Sequence, residues 1–445
     1  MRMRDIAIGA NASMYKRMQF KRIQGVYYPR SEEELLEAIR HAHEKGFDIT
    51  AKGAGSGLSG ACTGGNNDRV MISSLHLRNV RSISLEEGHA DVGPGATPNE
   101  INDKLSPLGM RFYVAPSSRD VATIGGLVST DGGGNDTWTN GTMRDNTVSV
   151  KLITHTGDII EVDREGVRSE NDVLQENLNA VGMTLNDVAS SHGTLGFISE
   201  VRVTIKPIVE EKTVGAMVEF EDYGAMGAGL LETIDKGCPV RYGEAIVMAH
   251  RDVREELKPP LLILEFPHEY EMEFCNADVK KLTRNGLAHL QELRLKLPKR
   301  NPNVGIQVAL FEGYGLHGES LEHMGRTISE IDGVLRRHGM EPFMKYGHAP
   351  SKWYLGDNSP AFGLIMHSRE IKPEDKSGPE IYRVVEDIVS KCQELGVTPK
   401  PEHKWIYSDD VKKKRLQELR EVMGDSFNSF VFEGDCASQT LSSMV

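Results

Sequence analysis

Three glycine-rich regions carry the chemistry that this sequence offers most openly. The first, Lys52-Gly53-Ala54-Gly55-Ser56-Gly57-Leu58-Ser59-Gly60, presents successive backbone N–H groups with few side chains in the way, which lets a chain close around an anion such as a diphosphate. Gly55-x-Gly57-x-x-Gly60 also satisfies the bare dinucleotide fingerprint, which would mean NAD on a Rossmann unit. That fingerprint must open a helix whose N-terminus faces the pyrophosphate, whereas the chain continues as the turn-forming run Ala61-Cys62-Thr63-Gly64-Gly65-Asn66-Asn67. The loop therefore reads as an anion nest or, taken alone, equally as a tight loop without a ligand.

The second region comprises Ala115-Pro116-Ser117-Ser118, Thr123-Ile124-Gly125-Gly126-Leu127, Asp131-Gly132-Gly133-Gly134 and Asn140-Gly141-Thr142, read as loops. The third runs from Ser190 through His192-Gly193-Thr194-Leu195-Gly196-Phe197-Ile198 to Glu200. Separated loops that repeat hydroxyls and bare backbone suit one long anionic cofactor. The C-terminal half adds Tyr346-Gly347-His348, Gly356-Asp357-Asn358, Met366-His367 and Glu402-His403. Such imidazoles either move protons near neutral pH or stand as hydrogen-bonded strand-end residues.

The elements that must position these groups are of mixed type. Ser31 and Glu34 read as N-cap and capping-box partner of a helix with Leu35, Leu36, Ile39 and Ala42 on one face, ended by Gly46. Thr97-Pro98-Asn99-Glu100 announces a second helix. Asp48–Ala51, Arg69–Ser73 and Ala90–Val92 read as strands. Beyond Val214, strands are expected at Val214–Phe220, Leu261–Phe266, Val304–Leu310, Phe343–Tyr346 and Phe362–His367, with helical periodicity over Ala277–Leu297, Glu319–His338 and Pro379–Leu395. The fold class is α+β.

At 445 residues the chain exceeds a single core and suits two or three domains. Its 39% apolar and 26% charged residues are those of a globular protein, and no stretch is apolar for long enough to span a membrane. A net charge of −13 opposes contact with nucleic acid or anionic lipid. Met1–Arg22 is a basic arm without the apolar core of a signal peptide. The scattered Cys62, Cys238, Cys275, Cys392 and Cys436 form no metal-binding pair and suit reduced thiols in the cytoplasm, at most peripheral to a membrane.

In order and spacing these segments resemble the vanillyl-alcohol oxidase superfamily, in its D-lactate dehydrogenase and glycolate oxidase branch. The likeness lies in the helix opening at Pro29, the G-x-G-[ST]-G-L-S-G loop at Gly53, the T-I-G-G segment and the H-G-T-L-G-F-I turn, covering Tyr15 to Pro207 well and the rest loosely. It implies a two-subdomain PCMH-type FAD-binding domain at 23–207, an α+β ferredoxin-like cap that binds substrate at 208–395, and a segment 396–445 returning to the FAD domain with the Glu-His pair. FAD contacts fall on Gly53, Ala54, Gly55, Ser56, Gly57, Pro116, Ser118, Thr123, Gly125, Gly126, Gly193 and Ile198. Relatives that attach FAD covalently have histidine where Ser56 stands, so the cofactor is expected to be noncovalent. His192 stands where many relatives have glutamate.

The same resemblance implies a divalent metal, zinc or manganese, on His348, His367 and Glu402, with His403 as the catalytic base. Relatives hold the two histidines closer around G-D-G-N, so here either an insertion separates them or the metal site is gone. Lys404-Trp405 replaces the glycine after the E-H pair, and Ser426-Phe427-Asn428-Ser429 stands near the place of an N-P-G-K ending. The implied activity is FAD-dependent oxidation of a small D-2-hydroxy acid, D-lactate or glycolate, with Arg241, Arg300 and Arg369 as candidate partners of its carboxylate. Electrons would pass to a quinone or an electron-transfer protein rather than NAD. The alternatives are metal-independent oxidation of a sugar acid or lactone, and a flavin-holding relay subunit of a complex; a homo-oligomer is compatible with all three.

Overall fold

The computed structural model describes residues 23–57, 62, 67–116, 118–134, 136–189, 191–208, 212–248, 260–270, 277–283, 285–290, 312–314, 324–338, 342–351, 361–368, 387, 390–391, 394–395, 398–400, 410–424 and 427–428. They form two compact units: one drawn from the described residues of Met1–Gly133, Thr142–Ile208 and Asp409–Met444, the other from those of Gly134–Gly141 and Val209–Ser408.

The first unit opens with a parallel three-stranded sheet in the spatial order Ile23–Tyr27, Arg69–Ser73, Asp48–Lys52. Every residue of the central strand Arg69–Ser73 is buried, as befits a parallel strand covered on both faces. The helix Glu32–Glu44 starts where Ser31 Oγ accepts the Glu34 N–H at 3.3 Å. The Glu34 carboxylate accepts from Arg30 N at 2.8 Å, so the return half of the box closes one residue earlier than the sequence suggests. Leu35, Ala38, Ile39 and Ala42 form its buried stripe and pack on Ile49, Val70 and Ile72. Phe427, from the C-terminal segment, and Ile153 and Phe197, from the next sheet, complete that core.

This second sheet has six antiparallel strands in the order Val80–Ser84, His89–Val92, Phe197–Thr204, Thr147–Ile153, Ile159–Asp163, Val167–Ser169. The helix Pro98–Leu105 carries a full capping box between Thr97 and Glu100. The C-terminal helix Asp410–Met423 is fastened by Arg415, whose guanidinium donates to Asp187 (3.0 and 3.1 Å) and to the carbonyls of Val181 (2.7 Å) and Gly182 (2.9 Å).

The second unit is a six-stranded antiparallel sheet in the order Ala277–Leu282, Thr213–Phe220, Leu261–Pro267, Tyr242–Met248, Pro342–Ser351, Ala361–Ser368. The helices Tyr223–Asp235 and Met324–Arg337 pack together. One expectation is corrected here: Ala277–Leu282 is an edge strand paired with Thr213–Phe220, and the helix begins only after it, over residues 285–290. Alternating exposure over residues 277–280, the further exposed Lys281 and the cross-strand pair of Lys280 with Glu219 at 3.0 Å suit a charged edge strand. Strand Tyr242–Met248 is a further difference from the sequence expectation, which places no strand there. Val304–Leu310 lies outside the described residues.

Candidate functional site

The strand Asp48–Lys52 runs into a bend at Gly53 and Ala54, and Gly55 takes φ +70°, which glycine adopts without a Cβ penalty. A Cβ on Gly53 would stand 2.2 Å from the Thr123 hydroxyl oxygen. Only bare backbone fits there, so the first glycine loop and the T-I-G-G segment meet at this point. Ser56 and Gly57 follow in the same loop, where among the described residues nothing lies within 4 Å of the place a Gly57 Cβ would take.

Thr123 is the N-cap of the short helix Ile124–Thr130, which corrects the expectation that this segment is a loop. Two backbone bonds seat the helix, Ile124 N to Ala96 O at 2.8 Å and Gly125 N to Pro94 O at 2.9 Å. A Cβ on Gly125 would fall 2.8 Å from Pro94 Cβ, so close packing explains the glycine. Pro116 and Ser118 lie in the turn leading to the helix, their carbonyls accepting from Arg119 N at 3.0 Å and from Val121 and Ala122 N at 2.9 and 2.7 Å.

The other end of the helix holds the third region, because Ser129 O accepts His192 N at 2.7 Å. Gly193 follows with φ +73°, and Ile198 lies on the strand Phe197–Thr204 beside Leu152. Asn428 then joins the two ends. Its Nδ2 donates to His192 O at 2.8 Å, its Oδ1 accepts Ala51 N at 2.9 Å, and its own N donates to Ile49 O at 2.8 Å. Gly53 against the Thr123 hydroxyl, Ser129 to His192 by backbone, and His192 through the Asn428 side chain to Ala51 thus close a ring of contacts around the three regions. Arg420 supports it by donating to Phe427 O at 2.8 Å.

The ring suits a ligand rich in acceptors. Among the described residues the buried Thr123 Oγ1 has no hydrogen-bond partner, and a buried hydroxyl in that state costs free energy unless a ligand or water meets it. The orphaned donor beside the bare backbone of Gly53 and Gly126 is what a diphosphate requires. Beyond it, Asp145 accepts from Thr142 N and Oγ1 at 2.8 and 3.1 Å; burial, reinforced by Asp131, pushes its carboxyl above the ordinary range against those bonds and Arg144.

The C-terminal histidines are less completely described. His348 lies on strand Pro342–Ser351 opposite Gly363, and His367 on Ala361–Ser368 opposite Met344, so the ladder sets them four residue pairs apart, about 13 Å along the strands. Glu402, His403, Arg300 and Arg369 lie outside the described residues. Arg241 donates its backbone N–H to Glu265 O at 2.7 Å. Among the described residues no cluster of three His, Cys, Asp or Glu side chains could hold a metal.

Comparison with known proteins identifies the frame that holds the first two of these regions: residues 23–163 match the family model of the FAD binding domain. The chain carries an FAD-binding domain of the PCMH type. It is 29% identical over 193 residues to the mitochondrial D-lactate dehydrogenase [cytochrome] of Arabidopsis thaliana, covering 42% of this chain and 31% of that protein. It is 27% identical over 201 residues to glycolate oxidase subunit GlcD of Bacillus subtilis, covering 45% of this chain and 41% of that protein. The chain thus spans less than half the length of these curated relatives. A solved structure of alkyldihydroxyacetonephosphate synthase shares the fold with a TM-score of 0.63 at 15% identity, over 90% of this chain and 76% of the other. Among the described residues no helix is long and apolar enough to cross a membrane.

Proposed function

We propose that this protein holds FAD noncovalently and uses it to oxidise a small D-2-hydroxy acid, of the D-lactate or glycolate type, to the 2-oxo acid. The ring of three glycine-bearing regions closed by Asn428 carries the reading, because it provides bare backbone and an orphaned hydroxyl inside the matched FAD-binding domain. Bound FAD supplies a hydride acceptor at flavin N5. Gly53, Ala54, Gly55, Ser56, Gly57, Thr123, Gly125 and Gly126 are assigned to its diphosphate, and Pro116, Ser118, Gly193 and Ile198 to the remainder. His403 is assigned the substrate hydroxyl proton, a task suited to an imidazole near neutral pH. Arg241, Arg300 or Arg369 would meet the substrate carboxylate.

The chain is read as an FAD domain at 23–207, a ferredoxin-like cap at 208–395, and a C-terminal segment at 396–445 whose described residues from Asp410 onward return to the FAD domain. The bonds of Arg415 and Asn428 into residues 49–51, 181–187 and 192 support the last point. The register of His348 and His367 is wide for one shared ion, so the reaction is written without a metal, and this favours oxidation of a sugar acid or lactone as the second reading. The electron acceptor is assigned to the quinone or electron-transfer-protein class.

The test is an anaerobic absorbance titration of the purified protein with D-lactate, L-lactate, glycolate and D-2-hydroxyglutarate, each with and without zinc or manganese. Bleaching of the flavin band by a D-2-hydroxy acid is the expected result. A yellow protein that only a sugar acid or lactone bleaches selects the second reading, and a protein that takes up no FAD overturns both.

A further inference from the structure

Lys52 is the last residue of the strand Asp48–Lys52 and leads directly into the glycine loop. Only 7% of it is exposed. Its ammonium donates to the adjacent Gly53 carbonyl at 3.4 Å, at the outer edge of hydrogen-bonding distance, and among the described residues no carboxylate pairs with it. Other cations of this unit have such partners: Arg144 has Asp131 at 3.1 Å, Arg202 has Asp91 at 2.7 Å and Arg415 has Asp187 at 3.0 Å. Cys62, close enough to feel the Lys52 charge, supplies no counter-anion, because burial pushes its thiol pKa up. A shielded ammonium without an anion is costly in the free protein.

The position of this cation gives it a use. Gly53, which follows Lys52, is the residue whose missing Cβ leaves room for the orphaned Thr123 hydroxyl. A positive charge, bare backbone and an unsatisfied donor therefore share one corner of the ring. We infer that Lys52 is a cofactor-binding residue whose ammonium neutralises the diphosphate of FAD, an inference that rests on the FAD reading above. The free protein carries the cost of a charge that no carboxylate among the described residues meets, and binding of the dinucleotide removes it, so Lys52 opposes stability in one state and supports affinity in the other.

The opposition of signs provides the test. Full-length apoprotein is prepared as wild type, Lys52→Met and Lys52→Arg, and each is measured for FAD affinity by flavin fluorescence and for apoprotein melting temperature. Lys52→Met is expected to weaken FAD binding by about ten- to a hundredfold, the size of one charge-assisted hydrogen bond, while its apoprotein melts at the same temperature or higher. Lys52→Arg is expected to keep most of the affinity, and raising KCl is expected to weaken FAD binding more in the wild type than in Lys52→Met. A Lys52→Met protein that binds FAD as the wild type does overturns the inference while leaving the FAD reading intact. One whose apoprotein melts lower or fails to fold makes the lysine structural and overturns it as well. A wild type that binds no FAD fails at the underlying reading and takes the inference with it.

Discussion

Replacing Asn428 with glycine tests whether the ring is the frame of the cofactor site. The backbone at Asn428 is left-handed, with φ +43°, so glycine keeps the conformation and removes only the amide. Two bonds disappear, from Nδ2 to His192 O at 2.8 Å and from Ala51 N to Oδ1 at 2.9 Å. Each is worth about 1 kcal/mol net, and a buried partner left unsatisfied adds about 1 kcal/mol or more, so the loss is about 2–4 kcal/mol. For a unit of this size 1 kcal/mol moves the melting temperature by about 2–4 °C, so a fall of about 4–16 °C is expected. The His192–Gly193 turn is then no longer tied to the strand that feeds Gly53, and FAD affinity is expected to fall about tenfold, or about 1.4 kcal/mol. Asn428→Asp is the companion variant. It keeps an acceptor for Ala51 N but sets a carboxylate oxygen against His192 O, a clash relieved when the carboxyl is protonated, so its melting temperature should move closer to that of the wild type at low pH. Differential scanning calorimetry and flavin fluorescence titration measure both effects. A glycine variant that melts within about 2 °C of the wild type and binds FAD equally well would falsify the ring as the frame of the site.

Three further outcomes are expected. Gly53→Ala sets a methyl 2.2 Å from Thr123 Oγ1 and should abolish tight FAD binding, and adding Thr123→Ala should restore part of the fold stability but not the affinity, as read by melting temperature and titration. His155 is buried, its Nδ1 3.2 Å from that of His43 and its ring edge-on to Phe427; burial, with the neighbouring His43, holds its pKa below the ordinary 6.5 against the Phe47 carbonyl and Asp48. The unfolded chain therefore takes up the proton first, so stability should be fully present above about pH 6.5 and fall as the pH drops below it, and His155→Gln should flatten that part of the melting curve against pH. Arg415→Met leaves Asp187 and two carbonyls without their donor and should cost about 2–4 kcal/mol, with Arg415→Lys recovering little because an ammonium cannot span the same fork; chemical denaturation of both variants measures it.

What was legible in the sequence is what neighbouring residues decide among themselves. The caps at Ser31 and Thr97 act over three or four residues, and both helices start there. Gly53, Gly125 and Gly193 stood out because glycine at such spacings costs stability unless backbone must come close or turn left-handed, but the sequence could not say what approaches them. Only the fold brings Thr123 to Gly53, Pro94 to Gly125 and Asn428 to Gly193. Asn428 stood in a polar segment with no signal beyond its side chain, because its three partners are set by the packing of Phe427 into a core built from other parts of the chain. Lys52 carries no signal of its own in the sequence, since a lysine beside glycines reads as solvated until its burial is known. The same limit applies to the histidines: His348 and His367 occupy adjacent strands, yet a hairpin of unknown turn leaves the register open, and register alone fixes their distance. Residue type therefore announces which chemistry is available, whereas the pairing of distant segments decides which of it is assembled.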